Sequence, residues 1–382
     1  MKKKILFVIP EYSHGGTNKS LENLLTLIDH TKYDISIYCL YEDGGPYYKN
    51  IFAPYIIKKS LLYYWLHDNY FTRKFMGLYN KLTKRDNFSF LYKREAQNIQ
   101  IKHAFNIVIA YQEGKATEFI SYIHNCEKKI AWYHCPYLTF NSEDREKFVL
   151  QYNSYSKIVC VSNTFSDRMK SIFPEISAKF KSIYNSIDSK RIIDKSNMEI
   201  SEPFFDSSVF TILSVGRFAM KSQFHLIPKI ARELKKSLPF NSFRWFIIAS
   251  GNECAKITNS NIEQYALQKD VILLGSKDNP YPYMKRANLV VCTSESESFS
   301  YVIAEAKALH TPVLSNDFPV AYEVLDERFG WIANINDMPR LLARIINNVD
   351  GEYSRKKATA NNYETSNETI LQQIDSLLSD NA

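Results

Sequence analysis

Between Asn288 and Asp317 the chain reads NLVVCTSESESFSYVIAEAKALHTPVLSND. Leu289 to Cys292 has the unbroken apolarity of a strand buried on both faces, as strands of parallel sheets are. Thr293 to Ser300 is dense in helix-capping residues, and Val302, Ile303, Ala306 and Leu309 then recur at helical spacing until Thr311-Pro312 stops the helix. Val313-Leu314 opens a second apolar strand that ends in Ser315-Asn316-Asp317. A strand, loop, helix and strand in this order predict a parallel pair with its crossover helix, and hence an α/β fold. Ligands of such sheets bind beyond the carboxyl ends of the strands. Two carboxylates eight residues apart stand at that edge, Glu297 in the loop and Glu305 near the front of the helix.

An ionised carboxylate accepts two hydrogen bonds side by side, which matches the vicinal hydroxyls of a ribose or a hexose. The pair therefore points to a nucleotide sugar, although two Glu at a loop-helix junction also serve as plain capping and dipole partners. The spacing Glu-x7-Glu, with Phe299 two residues after the first Glu, resembles the donor-binding motif of the retaining family-4 glycosyltransferases (glycosyl transferases group 1) of the bacterial capsule, exopolysaccharide and cell-envelope type. That resemblance implies a GT-B fold, two Rossmann-like doubly wound α/β domains facing across a cleft. It further implies that Glu297 acts at the donor sugar's hydroxyls together with the backbone of Ser298, Phe299 and Ser300, and that Glu305 binds the ribose.

A chain of 382 residues fits two domains. The opening MKKKILFVIP places lysines before apolar residues, but the apolar run stops at Pro10, so a first β-strand is expected and not a signal peptide. No run approaches the 18 or so apolar residues of a membrane span, and a cytoplasmic protein is expected. The six cysteines (39, 126, 135, 160, 254 and 292) are scattered without C-x-x-C pairs, which predicts neither a disulfide framework nor a zinc site.

In chain order, Lys4 to Pro10 leads to Gly15-Gly16 and a helix starting near Asn18 to Leu21. A glycine pair lets backbone amides approach an anion at a helix N-terminus, and a plain tight turn is the alternative. By resemblance Gly15 and Gly16 border the donor phosphates and the acceptor. His14 stands beside them. The segment 51–105 reads as a basic aromatic insertion. From Lys58 to Arg94, nine Lys/Arg oppose Asp68 and Asp86, a surplus as large as the whole-chain formal charge of +7. Interleaved with Tyr63, Tyr64, Trp65, Tyr70, Phe71, Phe75 and Tyr79, these residues fit either an interfacial region on an anionic membrane or a solvated face over an aromatic core. No motif of a nucleic-acid-binding fold accompanies them.

The run IAWYHCPY places His134 at a strand's carboxyl end, where the family carries a histidine beside the reacting sugar; the resemblance makes it an orienter or transition-state stabiliser. Asn185 to Asp188 resembles the family's hinge, and residues 189 to 208 read as a polar loop. Beyond it, VGRFAMKSQFHLIPKIARELKK resembles the phosphate-binding segment: Arg217 as a planar fork and Lys221 as a point charge can neutralise a diphosphate ahead of a helix from about Gln223 to Lys236. Tyr281 and Pro282 fall where the family's loop and helix flank the nucleotide base. The domains expected are 1–188, an acceptor-binding unit, 189–365, the nucleotide-sugar unit, and 366–382, a helix that crosses back to the first.

The reaction this implies is hexosyl transfer, with retention, from a nucleotide diphosphate sugar, UDP-linked by expectation, to a hydroxyl of a glycan or lipid-linked acceptor. The scheme calls for no cofactor and no metal, and the basic segment would place the chain peripherally on the inner face of the cytoplasmic membrane. Ser298 stands where a glycine is usual, Ser222 follows Lys221 in place of another, Ala249-Ser250-Gly251 replaces a Gly-x-Gly turn, and the glycine-rich loop after Asp317 is missing; these departures bear on donor identity. The alternatives are a sugar-nucleotide epimerase of the same architecture and a basic nucleic-acid-binding protein.

Overall fold

The computed structural model describes residues 2–12, 15–41, 46–57, 88–134, 142–200, 209–239, 242–363 and 366–379. The chain divides into two compact units, Met1–Ser186 with Asn367–Ala382, and Ile187–Ser366. Each is built on a six-stranded, wholly parallel sheet. The first sheet holds β1 (Lys3–Ile9), β2 (Tyr33–Cys39), β3 (Ile107–Ala110), β4 (Lys128–Tyr133), β5 (Lys157–Cys160) and β6 (Phe180–Ser182) in the order β2-β1-β3-β4-β5-β6. The second holds β7 (Phe210–Arg217), β8 (Phe243–Ser250), β9 (Val271–Gly275), β10 (Leu289–Cys292), β11 (Val313–Asn316) and β12 (Gly330–Ala333) in the order β12-β11-β10-β7-β8-β9. Parallel strands need crossovers, and helices on both faces explain why β3 and β10 are buried at every position. The strand order reverses between β1 and β3 in one sheet and between β7 and β10 in the other, and such switch points are where α/β sheets open a crevice for ligands. The α/β, Rossmann-like architecture expected from the strand-helix alternation is the one observed.

Helix α1 (Gly16–Leu27) begins at the second glycine of the pair, two residues earlier than its side-chain pattern indicates. Helix α2 (Phe88–Lys102) forms the end of the 51–105 segment. Its Tyr92, Ala96 and Ile99, spaced on one helical face, are core residues; Tyr92 meets Phe119 edge-on at 6.1 Å, and Tyr38, stacked on Phe119 at 5.3 Å, donates to buried Glu95 at 3.0 Å. Much of the chain's aromatic content fills this first core, where Tyr133, Phe148, Tyr152 and Phe173 also lie. Lys93 and Arg94 are exposed on α2, whereas Lys58 to Arg85, with the aromatics between them, and His14 lie outside the described residues.

The second unit opens with a further correction. Residues 189 to 196, expected in a loop, form helix α3 (Ser189–Ser196), because the Asp188 carboxylate caps it by accepting from Arg191 N at 3.0 Å and Ile192 is buried. Helix α4 (Ile227–Lys236) starts later than Gln223. Gln223 sits in the left-handed region at φ 56° between two short 3-10 turns, and Pro228 suits the helix start that follows. Helices α5 (Tyr281–Arg286) and α6 (Tyr301–Ala308) complete the site edge, and α3 packs on both.

The last helix, α7 (Glu368–Ser379), belongs to the first unit. Its closing carbonyls take Lys3 (to Leu378 O at 3.2 Å and Ser379 O at 3.0 Å) and buried Lys128 (to Leu377 O at 3.0 Å), cations placed at the negative end of the helix dipole. Asp375 accepts from Tyr33 at 2.7 Å and pairs with Lys32 at 3.1 Å, and Ile374, Leu377 and Leu378 are buried. No disulfide joins the described cysteines, and no described helix is long and apolar enough to cross a membrane.

Candidate active site

In the second unit the strand ends on either side of the switch point are laced together. Glu295 N donates to Lys221 O at 2.8 Å, and Thr293 Oγ1 donates to Ser222 O at 2.7 Å, so the loop after β10 is fastened to the loop after β7. Asn316, ending β11, donates its side-chain amide to Ser294 O at 3.0 Å. Ser294 Oγ in turn donates to Glu297 Oε1 at 2.8 Å. Exposed Arg217 and Lys221 act electrostatically on Glu297, so the structure brings these three predicted residues together. Burial raises the Glu297 carboxyl above the ordinary carboxylate range, against the opposing pull of the Ser294 hydrogen bond and the two cations. Ser298 is half-buried, and Phe299 and Ser300 are buried. Ser300 takes φ 66°, a left-handed conformation uncommon for a residue with a side chain, at the point where the loop turns into α6.

Glu305 lies one turn into α6 and is only 2% exposed. A carboxylate so enclosed needs a donor, and Tyr281 Oη supplies it at 2.9 Å. Tyr281 and Pro282, expected to flank a base, are both buried at the start of α5, and the Tyr281 hydroxyl is committed to Glu305.

The first unit gathers the other predicted residues at its own switch point. Gly15 is extended at φ −177°, with nothing within 4 Å of where a Cβ would stand, so open space and not backbone strain is what a side chain there would change. Gly16 begins α1, whose buried polar face is tied down at both ends: Asn18 donates to Glu11 O at 2.9 Å, and Asn23 to Ser186 O at 3.0 Å. Between them Ser20 shares a hydrogen bond with Tyr111 Oη at 2.8 Å and donates to Asn185 Oδ1 at 2.6 Å. The Tyr111 ring lies against His134, with centroids 5.1 Å apart. A continuous chain of contacts thus runs from the glycine loop through Ser20 and Tyr111 to His134. Burial pushes the His134 imidazole down to about 3, so it is neutral at physiological pH, and its Nε2 is buried with no hydrogen-bond partner among the described residues.

Two participants escaped sequence reasoning. Glu113, in the Gln112-Glu113-Gly114 run after β3, accepts from the backbone N–H of His134 at 2.9 Å. Tyr111, the residue just past β3, joins His134 to α1. The usable signal for both was their place at the end of a short apolar strand. Among the described residues no group of three or more His, Cys, Asp or Glu side chains is placed to hold a metal ion.

Residues 198–365, which contain Arg217, Lys221, Glu297 and Glu305, match the family model of glycosyl transferases group 1. The match covers less than half of the chain and is a likeness to that family over this stretch. Over 169 residues the chain is 28% identical to an uncharacterized glycosyltransferase of Methanocaldococcus jannaschii, an alignment covering 43% of this chain and 40% of that protein. Over 163 residues it is 27% identical to a Campylobacter jejuni protein named N-acetylgalactosamine-N,N'-diacetylbacillosaminyl-diphospho-undecaprenol 4-alpha-N-acetylgalactosaminyltransferase, covering 42% of this chain and 41% of that one. The chain thus spans about two fifths of the length of each of these two relatives. The fold extends further than the sequence likeness: Anabaena HepE, solved with UDP and glucose, superposes with a TM-score of 0.72 at 18% identity over 99% of this chain and 100% of HepE. A glycosyltransferase of Rickettsia africae gives 0.72 at 17% identity over 99% of both chains. The two parallel-sheet, Rossmann-like units therefore match the fold of GT-B glycosyltransferase structures.

Proposed function

We propose that the chain is a retaining glycosyltransferase that moves a hexosyl unit from a UDP-sugar to a hydroxyl of a glycan or lipid-linked acceptor in cell-envelope or polysaccharide synthesis. The observation that carries this is the hydrogen-bonded joining of the Arg217–Lys221 loop to the Glu297 loop at the switch point of the second sheet. Two cations fixed against a sugar-binding carboxylate suit a diphosphate attached to a sugar. HepE was solved with UDP and glucose, and the Campylobacter relative is named for transfer to a diphospho-undecaprenol-linked acceptor; both favour the donor and acceptor classes chosen here.

The difficult charges in such a transfer are the departing diphosphate and the oxocarbenium-like sugar. Arg217 and Lys221 neutralise the first as it develops. Glu297 accepts from sugar hydroxyls, and Glu305 from the ribose. The bond from the anomeric carbon to the diphosphate oxygen breaks while the acceptor oxygen bonds to the same face. The acceptor's proton passes to the leaving oxygen. His134, being neutral, acts as a hydrogen-bonding group that orients the sugar and not as a cationic acid. No step calls for a metal or other cofactor.

The test is a panel of UDP-, GDP- and ADP-sugars, read by thermal shift and donor hydrolysis on the intact chain and on Glu305→Ala and Lys221→Ala. Stabilisation by one nucleotide sugar, weakened in both variants, is the expected result. Indifference to every nucleotide sugar overturns the proposal.

Two further outcomes are expected. Gly15→Ala keeps fold and most activity, since an extended φ suits any residue and the space is open, whereas Gly15→Asp lowers turnover by about tenfold or more by setting a carboxylate where phosphates approach. Equal activity of the two variants removes Gly15 from the phosphate site. His134 is expected to limit stability in acid. Its folded-state value of about 3 lies below the unfolded value of 6.5, so its contribution is complete above pH 6.5 and is lost as pH falls toward 3. Calorimetric unfolding midpoints between pH 7 and 4.5 should therefore fall less steeply in His134→Gln than in the intact chain.

A further inference from the structure

We infer that Tyr281 is the positioning residue for the ribose-binding carboxylate of Glu305, and that α3, through Asn279, holds Tyr281 in place. The inference rests on the nucleotide-sugar reading of the site. Glu305 and Tyr281 are 2% and 6% exposed, and the hydrogen bond between them is 2.9 Å. A long acidic side chain on an eight-residue helix has several rotamers, and a bidentate grip on two ribose hydroxyls needs one of them. The Tyr281 hydroxyl selects that rotamer by donating to Oε1.

Tyr281 is itself fixed by an arrangement that starts in α3. Asn279 uses both ends of its side chain to bridge the two elements. Its Oδ1 accepts from Tyr281 N at 3.3 Å, and its Nδ2 donates to Lys195 O in the last turn of α3 at 2.9 Å. Lys285, one turn further along α5, donates to Asn197 Oδ1 just past the end of α3 at 2.7 Å. Helix α3 packs against both α5 and α6, which carry the two partners. The short helix expected to be loop therefore acts as a splint across the Tyr281–Glu305 pair. In this arrangement the residue expected to flank the base instead directs the group that binds the ribose.

The experiment measures calorimetric affinities of the intact chain, Tyr281→Phe and Glu305→Gln for UDP and for 2′,3′-dideoxyuridine diphosphate. The intact chain should prefer UDP by at least about tenfold, the worth of one good hydrogen bond to a charged group. In Tyr281→Phe that preference is expected to shrink several-fold, chiefly through weaker UDP binding. A merely structural defect weakens both ligands alike and leaves the ratio unchanged, and an unchanged ratio overturns the inference. Should the lone substitution fail to fold, because it takes a donor from a buried carboxylate, the comparison is made between Glu305→Gln and the pair Tyr281→Phe with Glu305→Gln. The amide carbonyl introduced by Glu305→Gln still receives the tyrosine hydroxyl, so the single variant should discriminate more than the pair, and equal discrimination overturns the inference. If the intact chain binds neither ligand nor any other nucleoside diphosphate, it is the glycosyltransferase reading that fails, and the role of Tyr281 falls with it.

Discussion

Lys221→Ala is expected to lower sugar transfer by about 10² to 10³, the scale seen when one preorganised group that stabilises developing charge is removed. Lys221 is exposed and its loop is held by hydrogen bonds from the Glu295 backbone N–H and the Thr293 hydroxyl, so the fold has little reason to suffer. The same cation also favours the ionised form of Glu297. Its removal should therefore move the acid limb of the pH–rate profile to higher pH, because a carboxyl already raised by burial loses one of the two charges that hold it down. Arg217→Ala should shift that limb in the same direction. Rate–pH profiles of the two single variants check both statements, and a profile that drops without shifting separates phosphate binding from any influence on Glu297. Lys221→Arg keeps the charge but replaces a point donor with a planar fork, so it should retain the limb's position while recovering only part of the rate.

Glu297→Gln is expected to go in opposite directions for activity and stability. The folded carboxyl holds its proton more tightly than the unfolded one, since burial is the largest influence on it. Stability is therefore greatest in acid, where both states are protonated, and it falls as pH rises through the raised folded value. A glutamine carries no charge to bury, and it retains a carbonyl oxygen to accept the Ser294 hydroxyl. At neutral pH the variant should melt higher, on the order of a few degrees, with the difference vanishing in acid. Transfer should meanwhile fall by about 10² or more, because a neutral amide accepts sugar hydroxyls less strongly than a carboxylate does. A variant that is both less stable and still active would show that Glu297 is a capping residue of the loop and not part of the donor site.

Much of the second unit was legible because its signals are local. The run from Leu289 to Asn316 is strand, loop, helix and strand within a single stretch of sequence, and Arg217 and Lys221 follow directly on an apolar strand. What stayed hidden depends on contacts distant in sequence. Nothing around Tyr281 indicates that its hydroxyl will meet a residue 24 positions later. Helix α3 looks like loop in the sequence because its eight residues, SKRIIDKS, are mostly polar; a single Asp cap and one buried isoleucine decide it. Glu113 and Tyr111 matter only once β3 and β4 are neighbours, and strand positions alone do not specify that pairing. The aromatic richness of the first half was equally ambiguous, since Tyr92 facing a core and a tyrosine facing lipid look the same in a sequence.

Helix α7 fastens to Lys3, Lys32 and Tyr33, and Lys128, residues at or beside the amino ends of β1, β2 and β4, the edge of the sheet opposite the site. During synthesis, a ribosome that has delivered residue 366 has released every residue of the second unit, while the underside of the first sheet still lacks the helix that covers it. Lys128, buried in the finished protein, gains its bond to the helix end only after that. The first unit is thus begun before the second and closed only after it, by a helix that lies beyond the whole of the second unit in the sequence.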